Sequence, residues 1–219
     1  MNPSPTPNQT AGKLFVDAPV VAVIRIESAE QAVDLAQTLL SNGVKALEIT
    51  LRTAAAIDAI RRIREALPDA LVGAGTVLDA TDLARVENAG ARFAIAPGAT
   101  DELYRAARNV ELPLITGVAT ASELMLGLAH GHRYFKLFPA EAVGGLPLLK
   151  SFLGPFPQAR FIPTGGITPA NAPDYLAQPN VIAVGGSWMV PEAAIAGQDW
   201  GRIAELARQC GALTQGLSR

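Results

Sequence analysis

What most constrains this chain is a beat: short apolar runs alternate with stretches of helical hydrophobic spacing from residue 20 to the end. The strand-like runs are 20–26, 46–50, 71–76, 92–96, 114–117, 134–138, 160–164 and 181–185. Most are continuously apolar, as strands covered on both faces are. The helical stretches are 28–40, 54–67, 79–89, 100–108, 122–129, 146–153, 169–176 and 200–210. Strict strand–helix alternation demands parallel strands. Eight such units in 219 residues fit one closed (β/α)8 barrel at the short end of its size range. An open doubly wound sheet is the weaker alternative. No linker or shift in composition divides the chain, so residues 1–219 read as a single barrel domain with an N-terminal extension over about 1–18. Within it, 11–16 is expected as a short helix that closes the barrel bottom.

Local signals agree with this beat. Ser28-Ala29-Glu30-Gln31 reads as a capping box. Gly43, Gly90 and Gly131 follow helical stretches, where a left-handed residue is needed. Thr168 reads as an N-cap with Pro169 in the first turn.

Composition excludes several functions. Hydrophobic residues are 49%, enough for a large core, and charged residues only 17%, which argues against disorder. Aromatics are 5% and the formal net charge is −2, so there is neither a stacking platform nor a basic field for nucleic acid. A single cysteine, Cys210, forms no internal disulfide and no paired-cysteine zinc site. His130 and His132 lack a third ligand nearby and sit at a helix-to-strand turn, where surface positions are expected. They make a poor metal site. Residues 1–10 are polar, without the basic and apolar regions of a signal peptide. No apolar run approaches the roughly 18 residues of a membrane span. The expectation is a soluble, cytoplasmic protein with no membrane or nucleic-acid partner.

In a barrel, function gathers at the C-terminal ends of the strands. The polar residues there are Arg25, Glu48 with Thr50 and Arg52, Thr76, Thr116, Lys136, Thr164 and Ser187. Glu48, Thr50 and Arg52 share one face by period two, and the lumen is a better place for a carboxylate than the helix layer. Glu48 then either handles protons or pairs with Arg25 or Arg52. Lys136 stands between Phe135 and Leu137. Burial favours the neutral amine, which attacks carbonyl carbons to form a Schiff base; snorkelling at a strand end is the less favoured reading. Thr164-Gly165-Gly166 and Gly185-Gly186-Ser187 close the seventh and eighth strands, where glycines let backbone amides approach an anion. That recurring phosphate position of barrels implies a small phosphorylated substrate. Gly73-Ala74-Gly75-Thr76 serves either close packing or a hydroxyl contact to a carboxylate. Gly144-Gly145 either widens the rim or loosens a loop. Met125, Trp188 and Trp200 read as packing residues.

Six motifs then resemble the class I KHG/KDPG aldolases (2-dehydro-3-deoxy-6-phosphogluconate aldolases) between about residues 19 and 191. They are Leu47-Glu48-Ile49-Thr50-Leu51-Arg52-Thr53, Val72-Gly73-Ala74-Gly75-Thr76-Val77, Ala96-Pro97-Gly98, Phe135-Lys136-Leu137-Phe138-Pro139-Ala140-Glu141, Pro163-Thr164-Gly165-Gly166-Ile167 and Gly185-Gly186-Ser187-Trp188. The resemblance implies a homotrimer of (β/α)8 barrels that reversibly cleaves a phosphorylated 2-oxo sugar acid to pyruvate and glyceraldehyde 3-phosphate, without cofactor or metal. It implies Lys136 as the Schiff-base lysine and Glu48 as general acid/base. Arg52 and Thr76, near Pro97 and Phe138, would bind the carboxylate. Gly165, Gly166, Gly186 and Ser187 would bind phosphate, and Thr164 would contribute to selectivity at C4. Thr116 stands where the family commonly has proline and is expected to add a hydroxyl near the pocket. The related 2-dehydro-3-deoxy-6-phosphogalactonate aldolases tend to carry Pro-Leu-Asn after Glu-Ile and valine before Gly-Gly, so Thr50-Leu51-Arg52 and Thr164 favour the gluconate epimer. Cleavage of 4-hydroxy-2-oxoglutarate, decarboxylation of a 2-oxo acid through the same imine, and a non-catalytic phospho-ligand barrel are the alternatives.

Overall fold

The computed structural model describes residues 7–213. Its strands are β1 (Val20–Ile24), β2 (Ala46–Thr50), β3 (Leu71–Gly75), β4 (Ala94–Ala96), β5 (Leu114–Val118), β6 (Tyr134–Leu137), β7 (Arg160–Pro163) and β8 (Val184–Gly186). They pair in parallel in the order β7-β6-β5-β4-β3-β2-β1-β8. Parallel bridges Phe161↔Val181 and Thr164↔Gly185 join the two ends, so the sheet closes and the open doubly wound alternative falls.

The helices are α1 (Pro7–Thr10), α2 (Ala32–Ser41), α3 (Ala56–Ala66), α4 (Ala80–Asn88), α5 (Asp101–Ala106), α6 (Ala121–Ala129), α7 (Gly145–Leu153), α8 (Ala172–Leu176), α9 (Glu192–Ala196) and α10 (Trp200–Ala212). α9 lies in a connection that the hydrophobic pattern left unassigned. Of two N-terminal expectations, one fails and one holds. Ser28 spends its hydroxyl on the Glu30 carboxylate, and a 3-10 turn, Ala29–Gln31, precedes α2. Thr168 does take the capping place: its Oγ1 accepts from Asn171 N at 3.4 Å, its carbonyl accepts from Ala172 N at 2.9 Å, and Asn171 Oδ1 accepts in return from Thr168 N at 2.8 Å, while the regular turns of α8 begin at Ala172. A capping box does form, at Thr120 and Glu123 of α6.

The lower lumen is filled by Val21, Ala46, Phe93, Ile95, Ile115, Ile162 and Ala183, with Phe15 pushed in from the 3-10 segment Ala11–Phe15. Phe15 meets Phe93 edge-on, ring centroids 5.3 Å apart. The expected bottom closure is therefore present, as a 3-10 turn. Gly12 has no Cβ because Tyr134 occupies that space. Above this apolar floor the inward positions turn polar, which places the site at the C-terminal mouth.

Candidate active site

Ala46 belongs to the lumen floor, so period two carries Glu48 inward one layer higher on β2. Lys136 comes from β6, across the barrel. Its Nζ donates to Glu48 Oε1 at 3.0 Å, and the residues are only 5% and 1% exposed. Glu48 therefore pairs with neither arginine named as its alternative partner. Arg25 pairs with Glu27 and with Glu192, and Arg52 Nε donates to Thr76 Oγ1 at 3.2 Å. The second Glu48 oxygen, Oε2, is buried without a partner. Leaving such an oxygen empty costs about 1–3 kcal/mol or more for a charged group. That cost is rational where a ligand proton is to arrive.

Glycines make this convergence possible. A Cβ at Gly75 would collide with Glu48 Oε1, and one at Gly117 with the Pro97 carbonyl. Gly117 lies opposite Lys136 in the β5–β6 register. Its role was not among the sequence expectations; the signal is a glycine inside an otherwise apolar strand. The close-packing reading of the Gly73–Thr76 stretch thus holds: Gly73 yields space to Phe93, Gly75 to Glu48. Thr76 has φ +61°, a strained value for a non-glycine residue that costs on the order of 1–3 kcal/mol. The strained turn brings its hydroxyl to Arg52. The Lys136 ammonium position also lies 5.2 Å from the Phe138 ring centroid. Thr50 faces inward but donates to Ile24 O at 2.9 Å, tying β2 to β1.

The expected turn at Gly185-Gly186 is instead the end of β8, which lies beside the Gly165–Gly166 turn, joined to it by the Thr164↔Gly185 bridge. Gly165 and Gly166 have φ of +98° and +80°. A Cβ at Gly185 would collide with Thr164, and one at Gly186 with the Trp188 ring. Among the described residues, the amides of Gly166 and Ser187 donate to no backbone carbonyl. They are free donors, one on the turn after β7 and one just past the end of β8.

Three expectations need correction, the first being Met125, which is 59% exposed rather than packed. Thr116 does not add a hydroxyl near the pocket. Ile115 fills the lumen, so Thr116 points outward by period two, and its hydroxyl lies 3.0 Å from that of Tyr104 on α5. His132 is not a surface residue but 5% exposed, wedged edge-on against Tyr104 at 4.9 Å. Burial, with the nearby His130 and Arg108 charges, lowers its pKa to about 4. His130 stacks on the same tyrosine at 4.7 Å.

A model of the KDPG and KHG aldolase family matches residues 13–206. The KHG/KDPG aldolase of Escherichia coli (strain K12) is 52% identical over 200 residues, 91% of this chain and 94% of its own. The KDPG aldolase from Legionella pneumophila, solved with pyruvate captured as a covalent carbinolamine intermediate, superposes with a TM-score of 0.88 at 50% identity, covering 90% of this chain and 96% of that one. The 2-keto-3-deoxy-6-phosphogluconate aldolase of Zymomonas mobilis ZM4, solved with 3-phosphoglycerate, gives a TM-score of 0.89 at 43% identity, covering 97% and 100%.

Proposed function

The chain belongs to the KDPG and KHG aldolase family, and from that premise we propose that Lys136 and Glu48 carry its reaction: reversible cleavage of 2-dehydro-3-deoxy-6-phosphogluconate to pyruvate and glyceraldehyde 3-phosphate. The chain is an aldolase, a carbon–carbon lyase. The observation that carries the residue assignment is the buried 3.0 Å contact of Lys136 Nζ with Glu48 Oε1, beside an empty Oε2.

Cleaving the C3–C4 bond of a 2-oxo acid needs an electron sink at C2. Lys136, its proton passed to Glu48, adds to the C2 carbonyl; Glu48 gives that proton to the carbinolamine hydroxyl, which leaves as water, so a protonated imine and a free carboxylate result. Glu48 then accepts the C4 hydroxyl proton. The C4–O electrons form the aldehyde, the C3–C4 pair moves into the imine, and glyceraldehyde 3-phosphate departs. Glu48 returns the proton to C3 of the enamine. Water hydrolyses the imine, which releases pyruvate and the free lysine. Arg52 and Thr76 hold the carboxylate by charge-assisted hydrogen bonds, with Pro97 and Phe138 as walls. Gly165, Gly166, Gly186 and Ser187 receive the phosphate, and Thr164, fixed against Gly185, reads the C4 configuration. The covalent pyruvate and the 3-phosphoglycerate in the two solved relatives support the two ends of this reading.

The E. coli relative's double name favours 4-hydroxy-2-oxoglutarate cleavage as a second activity of the same imine. Among the described residues, no helix is long and apolar enough to cross a membrane. The reading includes a homotrimer in the cytoplasm. The deciding experiment is borohydride reduction in the presence of pyruvate, followed by peptide mass spectrometry. A pyruvyl adduct on Lys136 is expected, and Lys136→Ala loses both adduct and cleavage. A parent enzyme without an adduct sinks the imine.

A further inference from the structure

Two residues with no part in this chemistry meet beside the phosphate end of the mouth. Tyr175, on α8 and 1% exposed, donates its hydroxyl to Glu141 Oε1. Glu141 starts the 3-10 turn Glu141–Val143 between β6 and α7. Its amide donates to Gly165 O at 3.1 Å, and the preceding amide of Ala140 donates to Thr164 O at 2.8 Å. Its side-chain stem lies flat on Gly166, where a Cβ would stand 2.6 Å from Glu141 Cγ. Gly145, at φ +52°, leaves the remaining space: a Cβ there would stand 2.7 Å from the Tyr175 hydroxyl and 3.2 Å from Glu141 Oε1. Two glycines are thus shaped around one phenol–carboxylate contact.

A carboxylate next to an anion cradle is an odd choice, because like charges repel at short range even where, as at Glu141, the residue is exposed. Tyr175 supplies a reason. Burial and then the Glu141 hydrogen bond push its ionisation well above the ordinary tyrosine value, so the phenol stays a donor. From the far side, Asn171 Nδ2 donates to Gly166 O at 3.1 Å. The glycine turn is held from both sides by side chains that would not touch the substrate.

We infer that Glu141 and Tyr175 are positioning residues for the phosphate end: the phenol tethers the Glu141 carboxylate at Gly145, sets the Gly165–Gly166 turn and keeps negative charge off the bound phosphate. The inference rests on reading that turn as the phosphate cradle.

The test compares phosphorylated and non-phosphorylated 2-oxo-3-deoxygluconate, with pyruvate trapping at Lys136 as a control for an intact site. In the parent, the phosphorylated substrate is cleaved far more efficiently. Tyr175→Phe frees the carboxylate and raises KM for the phosphorylated substrate on the order of tenfold, with kcat, the poor substrate and trapping nearly unchanged. Adding Glu141→Gln removes the charge and recovers most of that loss, which a merely structural contact would not allow. The inference is overturned if Tyr175→Phe leaves KM unaltered, if all activities fall in proportion, or if the double variant is no better than the single one. A parent that treats both substrates alike overturns the phosphate reading itself at the first measurement, and this inference with it.

Discussion

Glu48 has two oxygens in two different situations. Oε1 accepts from Lys136 at 3.0 Å, while Oε2 is buried and empty. The first oxygen holds the lysine in place and the second is the one available to a substrate hydroxyl. Glu48→Gln keeps the shape but cannot accept a proton. Cleavage is expected to slow by about 10²–10⁴-fold, the usual worth of general acid–base catalysis. Pyruvate should still be trapped on Lys136, because the amine remains. An unchanged cleavage rate would leave Glu48 only as the lysine's counter-ion.

β6 presents Lys136 to the mouth, and the βα unit before it starts its helix with a side-chain cap. β5 runs straight into α6, whose first turn is closed by the capping box of Thr120 and Glu123. Burial pushes the Glu123 carboxyl up, but bonds from the amides of Ala119 and Thr120 and from the Thr120 hydroxyl outweigh it, and the net shift is downward. A carboxyl held below its unfolded value stabilises the fold above that unfolded value, and the gain is lost as pH falls through the folded one. Thr120→Ala should cost about 1 kcal/mol of stability, within the 0.5–2 kcal/mol range of N-cap losses. Denaturant melts at neutral pH check this, with borohydride trapping at Lys136 expected to persist. A midpoint that does not move would mean that packing, not capping, holds the start of α6.

At the scale of the whole molecule, the two ends of the barrel have different tasks. The mouth carries unsatisfied groups, and the opposite end is plugged by Phe15 and closed by packed rings. His132 belongs to that closed end, at the start of the connection into β6, neutral and with Nδ1 unpartnered. Its pKa of about 4 lies below the unfolded value of about 6.5. The unfolded chain therefore binds a proton that the folded one refuses, and stability rises with pH across that window. It should fall progressively from about pH 6.5 towards pH 4, by at most about 1.4 kcal/mol per pH unit. His132→Gln should flatten the profile by one proton in equilibrium unfolding followed against pH. An identical slope in the variant would assign the acid sensitivity to other groups.

The eightfold alternation was legible residue by residue because burial on both strand faces leaves continuous apolar runs that a local pattern reveals. Lys136 and Glu48 were legible for the converse reason: a charge inside such a run is costly and stands out. Position along the strands also marked the glycine turn after β7 and the glycine pair that ends β8. What no local pattern contained was partnership. That Glu48 meets Lys136, 88 residues away, and not Arg25 or Arg52, depends on how strands β2 and β6 face each other across a closed barrel. That Thr116 turns to Tyr104 depends on Ile115 taking the lumen, and the burial of His132 depends on rings brought in by α5. The start of α2 shifted because Ser28 found a side-chain partner two residues on, a bond that competes with a cap and is decided by geometry rather than by residue type. Period and cost are properties of a segment and are written in its residues. Pairing across the lumen is a property of closure, and only the closed tertiary structure decides it.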